Sequence, residues 1–149
     1  MTVKSKHLAA VAVAAAFVAL AIPAAQAQSD EVYQQFGGKA GITAIITDAV
    51  ASWQKDPRIA RYFVHANIAH LRYELIQQVC NLTNGPCTYT GKDMKAAHEH
   101  MQLTQASFNA LDEDLNTAMD NHHVPLSAQN YLTGKLAPME QPIVTKNGF

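Results

Sequence analysis

The sequence predicts a single all-α domain of five or six helices. Apolar residues recur at spacings of three and four in several segments, which is the helical period. No segment alternates with the period of two that a half-buried strand needs. The breaks between periodic segments fall on capping or turn residues. A chain of 149 residues suits one compact domain.

Taken in order, Tyr33 to Phe36 form a short amphipathic piece that Gly37-Gly38 interrupts. From Lys39 to Gln54 the apolar residues Ile42, Ile45, Ile46, Ala49, Val50 and Trp53 mark a long helix, which Asp56-Pro57 ends. Ile59, Tyr62 and Phe63 make an aromatic corner. A second long helix is expected from about Asn67, a good N-cap, to Leu82, with Ile68, Leu71, Leu75, Val79 and Leu82 on one stripe. Residues 93–101 are expected to be helical, with Met94, Ala97, His98 and Met101 on a shared face. Thr104 then caps a helix carrying Phe108, Leu111, Leu115 and Met119. Val124-Pro125 restarts the chain, and a last helix runs to about Leu136. There is no internal repeat.

Charged residues are only 15% of the chain, against roughly 25% in soluble proteins, and the first thirty residues supply part of the deficit. Lys4 and Lys6 precede an uncharged apolar run from Leu8 to Ile22, and Pro23 to Ala27 follow with small residues. That order is the order of a secretory signal peptide, which leaves residues 28–149 as the mature domain. The run is too short to cross a bilayer comfortably, and no later segment approaches that length, so no membrane association is expected once the signal is cleaved. The mature chain then carries a net charge of about −3, lacking the basic footprint that nucleic acid requires. Export also sets the reading of the two cysteines. Cys80 and Cys87 flank a turn at Asn84-Gly85-Pro86, and in an oxidising compartment such a pair reads as a disulfide. The absence of Cys-x-x-Cys-His excludes c-type covalent haem attachment. Localisation follows as periplasmic or secreted.

Seven histidines are present. His7 leaves with the signal, and His122-His123 sits at a helix end, where imidazoles complement the dipole. His98 and His100 are two apart, hence about 200° apart on a helix, and cannot share a metal. The apolar periodicity places His98 inward. Alone, an inward histidine reads as a core residue.

Its surroundings alter that reading. Tyr33-x-x-Phe36-Gly37-Gly38, Tyr62-Phe63, Gly85-Pro86, Tyr89-x-Gly91, Asp93-Met94-Lys95-x-x-His98, Thr104-x-x-x-Phe108 and Leu136-Ala-Pro-Met139 follow one another in order and spacing. Together they make residues 31–145 resemble the group I truncated haemoglobins. The resemblance implies a truncated globin fold, a two-over-two helical sandwich enclosing non-covalent haem b. It implies that His98 is the axial iron ligand and that Phe63 packs on the haem face. Met94, Ala97, Met101, Leu103, Phe108 and Leu111 match positions that line the pocket.

The departures bear on function. The three positions from which this family usually hydrogen-bonds the iron's ligand fall on Val50, Leu71 and Leu75, none of which can donate. Asn84 replaces a customary glycine, a mild change because Asn tolerates the left-handed conformation. His70 and Arg72 match the haem edge, where side chains meet the propionates, and solvated surface is their alternative. His65 or His70 could also serve as a sixth ligand. The resemblance therefore implies reversible binding of oxygen, carbon monoxide or nitric oxide, and a ligand-binding protein more than an enzyme. Electron transfer or sensing at six-coordinate iron, with a reductase or other electron donor as partner, stays open. So does detoxification of nitric oxide or peroxide.

Cleavage is expected after Ala27, since Ala25 and Ala27 are small and Gln28-Ser29-Asp30 begins polar sequence. Intact mass of the exported protein checks this: the mature chain should begin at Gln28.

Overall fold

The computed structural model describes residues 31–146; the expected signal peptide and its cleavage site lie outside the described residues. Five helices longer than a single 3-10 turn follow the short helical segment 31–35: α1 (Gly38–Trp53), α2 (Ile68–Leu82), α3 (Met94–Ala97), α4 (Gln105–Asn121) and α5 (Leu126–Leu136). Single 3-10 turns stand at Ala60–Tyr62 and Ala137–Met139.

The starts of these helices are legible in local chemistry. Gly37 and Gly38 both adopt positive φ, at 75° and 62°, so the break before α1 uses conformations that residues with a Cβ resist. Asn67 caps α2 by accepting a hydrogen bond from the His70 amide at 3.1 Å, and Thr104 caps α4 by accepting from the Ser107 amide, also at 3.1 Å. Asn84 takes φ 62° and the Gly85 amide returns to the Cys80 carbonyl at 2.7 Å, which closes the C-terminus of α2. A Cβ on Gly85 would lie 2.8 Å from Cys80 Sγ and 2.5 Å from the Tyr33 ring, so that turn also needs the missing side chain.

Helix α1 is the centre of the packing. Ile42, Ile45, Ile46, Ala49, Val50 and Trp53 are all buried, a face broad enough for two neighbours. It packs against α2 on one side and α4 on the other, while α2 also touches α5. Pairs α1/α2 and α4/α5 are thus stacked two over two. The Trp53 indole N–H donates to the Leu111 carbonyl at 3.1 Å, fastening α1 to α4. His122, at the end of α4, meets Asp48 of α1 at 2.8 Å, a second tie between these two helices.

Two expectations are corrected. The helix expected over 93–101 stops at Ala97, because His100 and Gln102 adopt φ 66° and 51° to turn the chain toward Leu103. The chain is also not wholly without strands. Leu103–Thr104 (β1) pairs in parallel with Val144–Lys146 (β2), with an irregular register between Leu103 and Thr104. A ladder so short has no alternating pattern to detect, and it joins segments forty residues apart.

Cys80 and Cys87 are disulfide-bonded, tying the last turn of α2 to the segment that leads into α3. By the chain-entropy estimate a loop this short adds roughly 2–3 kcal/mol. Urea unfolding should therefore show a loss of about that size in Cys87→Ala, and thiol titration of the unfolded, unreduced protein should find no free thiol.

Candidate functional site

The packing of α1, α2 and α4 leaves a cavity of about 670 Å³, inside the roughly 300–1,000 Å³ of small-molecule and cofactor sites. Helix α2 contributes Leu71, Leu75, Gln78 and Val79, and α4 contributes Phe108, Leu111 and Leu115. Trp53 and Phe63 form a stacked aromatic wall, with ring centroids 5.9 Å apart. Opposite stand Met94, Ala97, His98, Met101 and Leu103, and the C-terminal segment closes the space with Leu136, Met139 and Ile143. Polar residues gather at the opening: Asn67 and His70 are exposed, as is Lys92, whereas Glu74 and Tyr89 are half-buried. Burial and the neighbouring Glu74 carboxylate push the Tyr89 hydroxyl above its ordinary pKa, and Tyr89 donates to the Lys92 carbonyl at 2.7 Å.

His98 stands where α3 ends. Its Nδ1 lies 2.8 Å from the Met94 carbonyl oxygen. A carbonyl can only accept, so Nδ1 carries a proton in this contact, and in the neutral form of the ring the lone pair is on Nε2. The ring is thereby held in one tautomer on the cavity wall. His100, by contrast, points away, with its side chain 88% exposed. The two histidines are separated by the left-handed turn after α3 instead of by helical phase. Among the described residues, no three His, Cys, Asp or Glu side chains come close enough to hold a bare metal ion. The arrangement is one oriented imidazole on the wall of a mostly apolar cavity with a polar mouth. It can place a single nitrogen ligand against a large, flat, mostly apolar guest.

Of the residues picked out in the sequence, Phe63, His70, Leu71, Leu75, Met94, Ala97, His98, Met101, Leu103, Phe108 and Leu111 all line this cavity. Two do not. Val50 is 1% exposed within the core; its short side chain ends inside the α1 packing, and Ile46 and Trp53 form the wall on that side. Arg72 points off the cavity, since its position on α2 lies outside the 71–75–78 stripe, and Lys92 is the cation at the mouth. His65 likewise stands outside the lining, and His70 Nε2 faces Glu74 at 3.9 Å.

Sequence reasoning missed Trp53 and the C-terminal wall, and it missed Gln78. The first would have followed from the length of the indole on the α1 stripe. Gln78 lies three residues beyond Leu75 on the stripe already identified, and a glutamine there is the signal. It is 8% exposed, and its amide meets only the sulfurs of Met139 and Met94, at 3.7 and 4.0 Å. Thioethers are weak acceptors, and a buried carboxamide without better partners costs about 1–3 kcal/mol.

Comparison with known proteins gives one consistent result. Residues 31–145 match the family described as bacterial-like globin. The chain is 31% identical over 84 residues to a group 1 truncated haemoglobin of Tetrahymena thermophila, covering 56% of this chain and 69% of that one. It is 24% identical over 115 residues to a group 1 truncated haemoglobin from Nostoc, covering 77% and 98% of the two chains. The crystal structure of truncated haemoglobin from Tetrahymena pyriformis in its Fe(III) form superposes with a TM-score of 0.73 at 23% identity, covering 77% of this chain and 98% of that one. A 2/2 haemoglobin from Synechococcus gives 0.66 at 20% identity over the same shares. These structures share the fold.

The His98 turn depends on its cap. Asp93 accepts from the Ala96 amide at 2.8 Å, and a helix of four residues has too few internal bonds to stand without one. Asp93→Ala should lower stability by about 1 kcal/mol, measured by urea unfolding, with faster amide exchange at Ala96, Ala97 and His98.

Proposed function

Because this chain belongs to the bacterial-like globin family, we propose that the cavity holds haem b non-covalently, with His98 Nε2 as the axial ligand, and that the protein reversibly binds oxygen, carbon monoxide or nitric oxide. The observation that carries this is the His98 geometry. An imidazole whose Nδ1 proton is spent on a backbone carbonyl at 2.8 Å offers Nε2 as a well-oriented, more basic ligand. One such nitrogen is too few for a bare ion. It suffices for iron already held by a porphyrin.

The remaining residues fit the same guest. Trp53, Phe63, Leu71, Leu75 and Phe108 supply apolar faces on which a flat ring system can pack. Lys92 and His70 at the mouth suit two carboxylate groups that stay near water. When bound, haem supplies an iron atom with an open coordination position for a small ligand. The protein's part is to orient one ligand to that iron, exclude bulk water and shape the space on the other side. Leu71 and Leu75 keep that space apolar. Export to the periplasm or beyond, with residues 1–27 removed, belongs to the same proposal; the Cys80–Cys87 disulfide supports an oxidising compartment.

Titrating the apoprotein with haemin tests the reading. A visible haem band should grow to one equivalent. Emission of Trp53, the one tryptophan in the chain, should be quenched as the cavity fills. His98→Ala should weaken haem binding by at least about tenfold, ~1.4 kcal/mol, while His100→Ala leaves both affinity and spectrum as they are. Equal effects from the two substitutions would overturn the assignment of His98.

A further inference from the structure

The Cys80–Cys87 bridge joins two unlike partners. Cys80 is fully buried near the end of α2 and belongs to the hydrophobic core, on the helix that also brings Leu71, Leu75 and Val79 to the cavity. Cys87 is half-buried and begins a strap, residues 87–93, that contains no helix or strand. Among the described residues, no backbone-to-backbone hydrogen bond involves residues 87–92. The Cys87 carbonyl accepts from the Asn81 carboxamide at 3.1 Å. The bond from the Tyr89 hydroxyl to the Lys92 carbonyl stays within the strap. The disulfide is therefore the strap's strongest tie to α2.

What the strap carries gives that tie its consequence. Tyr89, Thr90, Gly91 and Lys92 line the cavity, and a Cβ on Gly91 would strike the Glu74 carboxylate of α2. Asp93, the last residue of the strap, caps the turn that presents His98. If the bridge is cut, α2 keeps its core contacts and the bond from the Gly85 amide to the Cys80 carbonyl at 2.7 Å. The strap keeps only exposed hydrogen bonds and its packing on Glu74, and segments held in that way open locally at low free energy.

We propose that the disulfide is a redox catch on the bound group: oxidised, it holds the strap and the His98 turn against the cavity, and reduction by a dithiol frees them and releases haem. This rests on the haem-binding reading. In the exchange, a thiolate of the dithiol attacks Sγ of Cys87, the less buried of the two. The bond to Cys80 breaks, and Cys80 leaves as a thiolate that takes up a proton. The second thiol then displaces Cys87, so the dithiol ends as a disulfide and the protein as two thiols, richer by two electrons and two protons. Linkage adds a reciprocal effect: a bridge that tightens haem binding is itself harder to reduce while haem is bound.

The test compares ferric holoprotein with its bridge intact and after reduction by dithiothreitol, each mixed with excess apomyoglobin and followed in the Soret band. Reduction should speed haem loss by at least about fivefold, the lower end of such couplings when lost affinity appears in dissociation. In Cys80→Ala/Cys87→Ser the loss should be fast from the outset and indifferent to dithiothreitol, which controls for any action of the reagent on the iron. Free-thiol titration in dithiothreitol redox buffers gives the second readout. The bridge of the holoprotein should need a reducing ratio at least about fivefold higher than that of the apoprotein. Equal rates of haem loss, or a bridge equally stable with and without haem, would overturn the catch and leave haem binding intact. Collapse of the helical circular dichroism on reduction would make the bridge a staple of the whole fold and overturn it equally. A parent that takes up no haem would instead remove the reading on which the proposal rests.

Discussion

A single hydrogen bond organises the cavity wall: His98 Nδ1 to the Met94 carbonyl, at 2.8 Å. It spans one turn of a helix only four residues long, too short to hold its own shape. Nearly everything around it serves to hold that turn. Asp93 caps its start, and the disulfide anchors the chain a few residues upstream. Two left-handed residues, His100 and Gln102, end it, and the pairing of β1 with β2 secures the strand that follows. The imidazole is thus positioned by constraints on both sides instead of by a long helix beneath it.

The larger helices answer a different requirement. Helix α1 buries six apolar residues on a face wide enough for both α2 and α4. The cavity lies between those helices, lined by side chains of both. Trp53, stacked on Phe63 and bonded to the Leu111 carbonyl, fixes how far apart they stand. The opening is therefore bounded by rigid packing on the α1 side and by a short, externally braced turn on the His98 side.

Much of this was legible in the sequence where the cause was local. Asn67 and Thr104 announce the starts of α2 and α4 because a capping side chain acts within three residues. Gly37-Gly38 and Asn84 announce the turns because they tolerate positive φ. The inward placement of His98 was legible as well, although the reason proved to be a turn and not a helical phase. What escaped was non-local or depended on side-chain reach. Nothing near His100 or Gln102 signals left-handed backbone, and the strand that follows them pairs with the distant Val144. Val50 shares a stripe with Ile46 and Trp53, yet only the longer side chains arrive at the cavity. Gln78 was hidden in plain view, on a stripe judged by its leucines.

The pairing of Leu103 with Val144 has a bearing on how the protein is made. Met139 and Ile143 are part of the cavity wall, so the chamber lacks a side until the segment after α5 is available. Helices α1, α2 and α4 can associate as soon as α4 has been synthesised, but at that stage the chamber is an open trough. A guest entering early meets exposed apolar surface and an unbraced His98 turn. A guest entering after that segment has docked meets a finished site with a polar mouth. In this topology the binding site is complete only once the segment after α5 has docked.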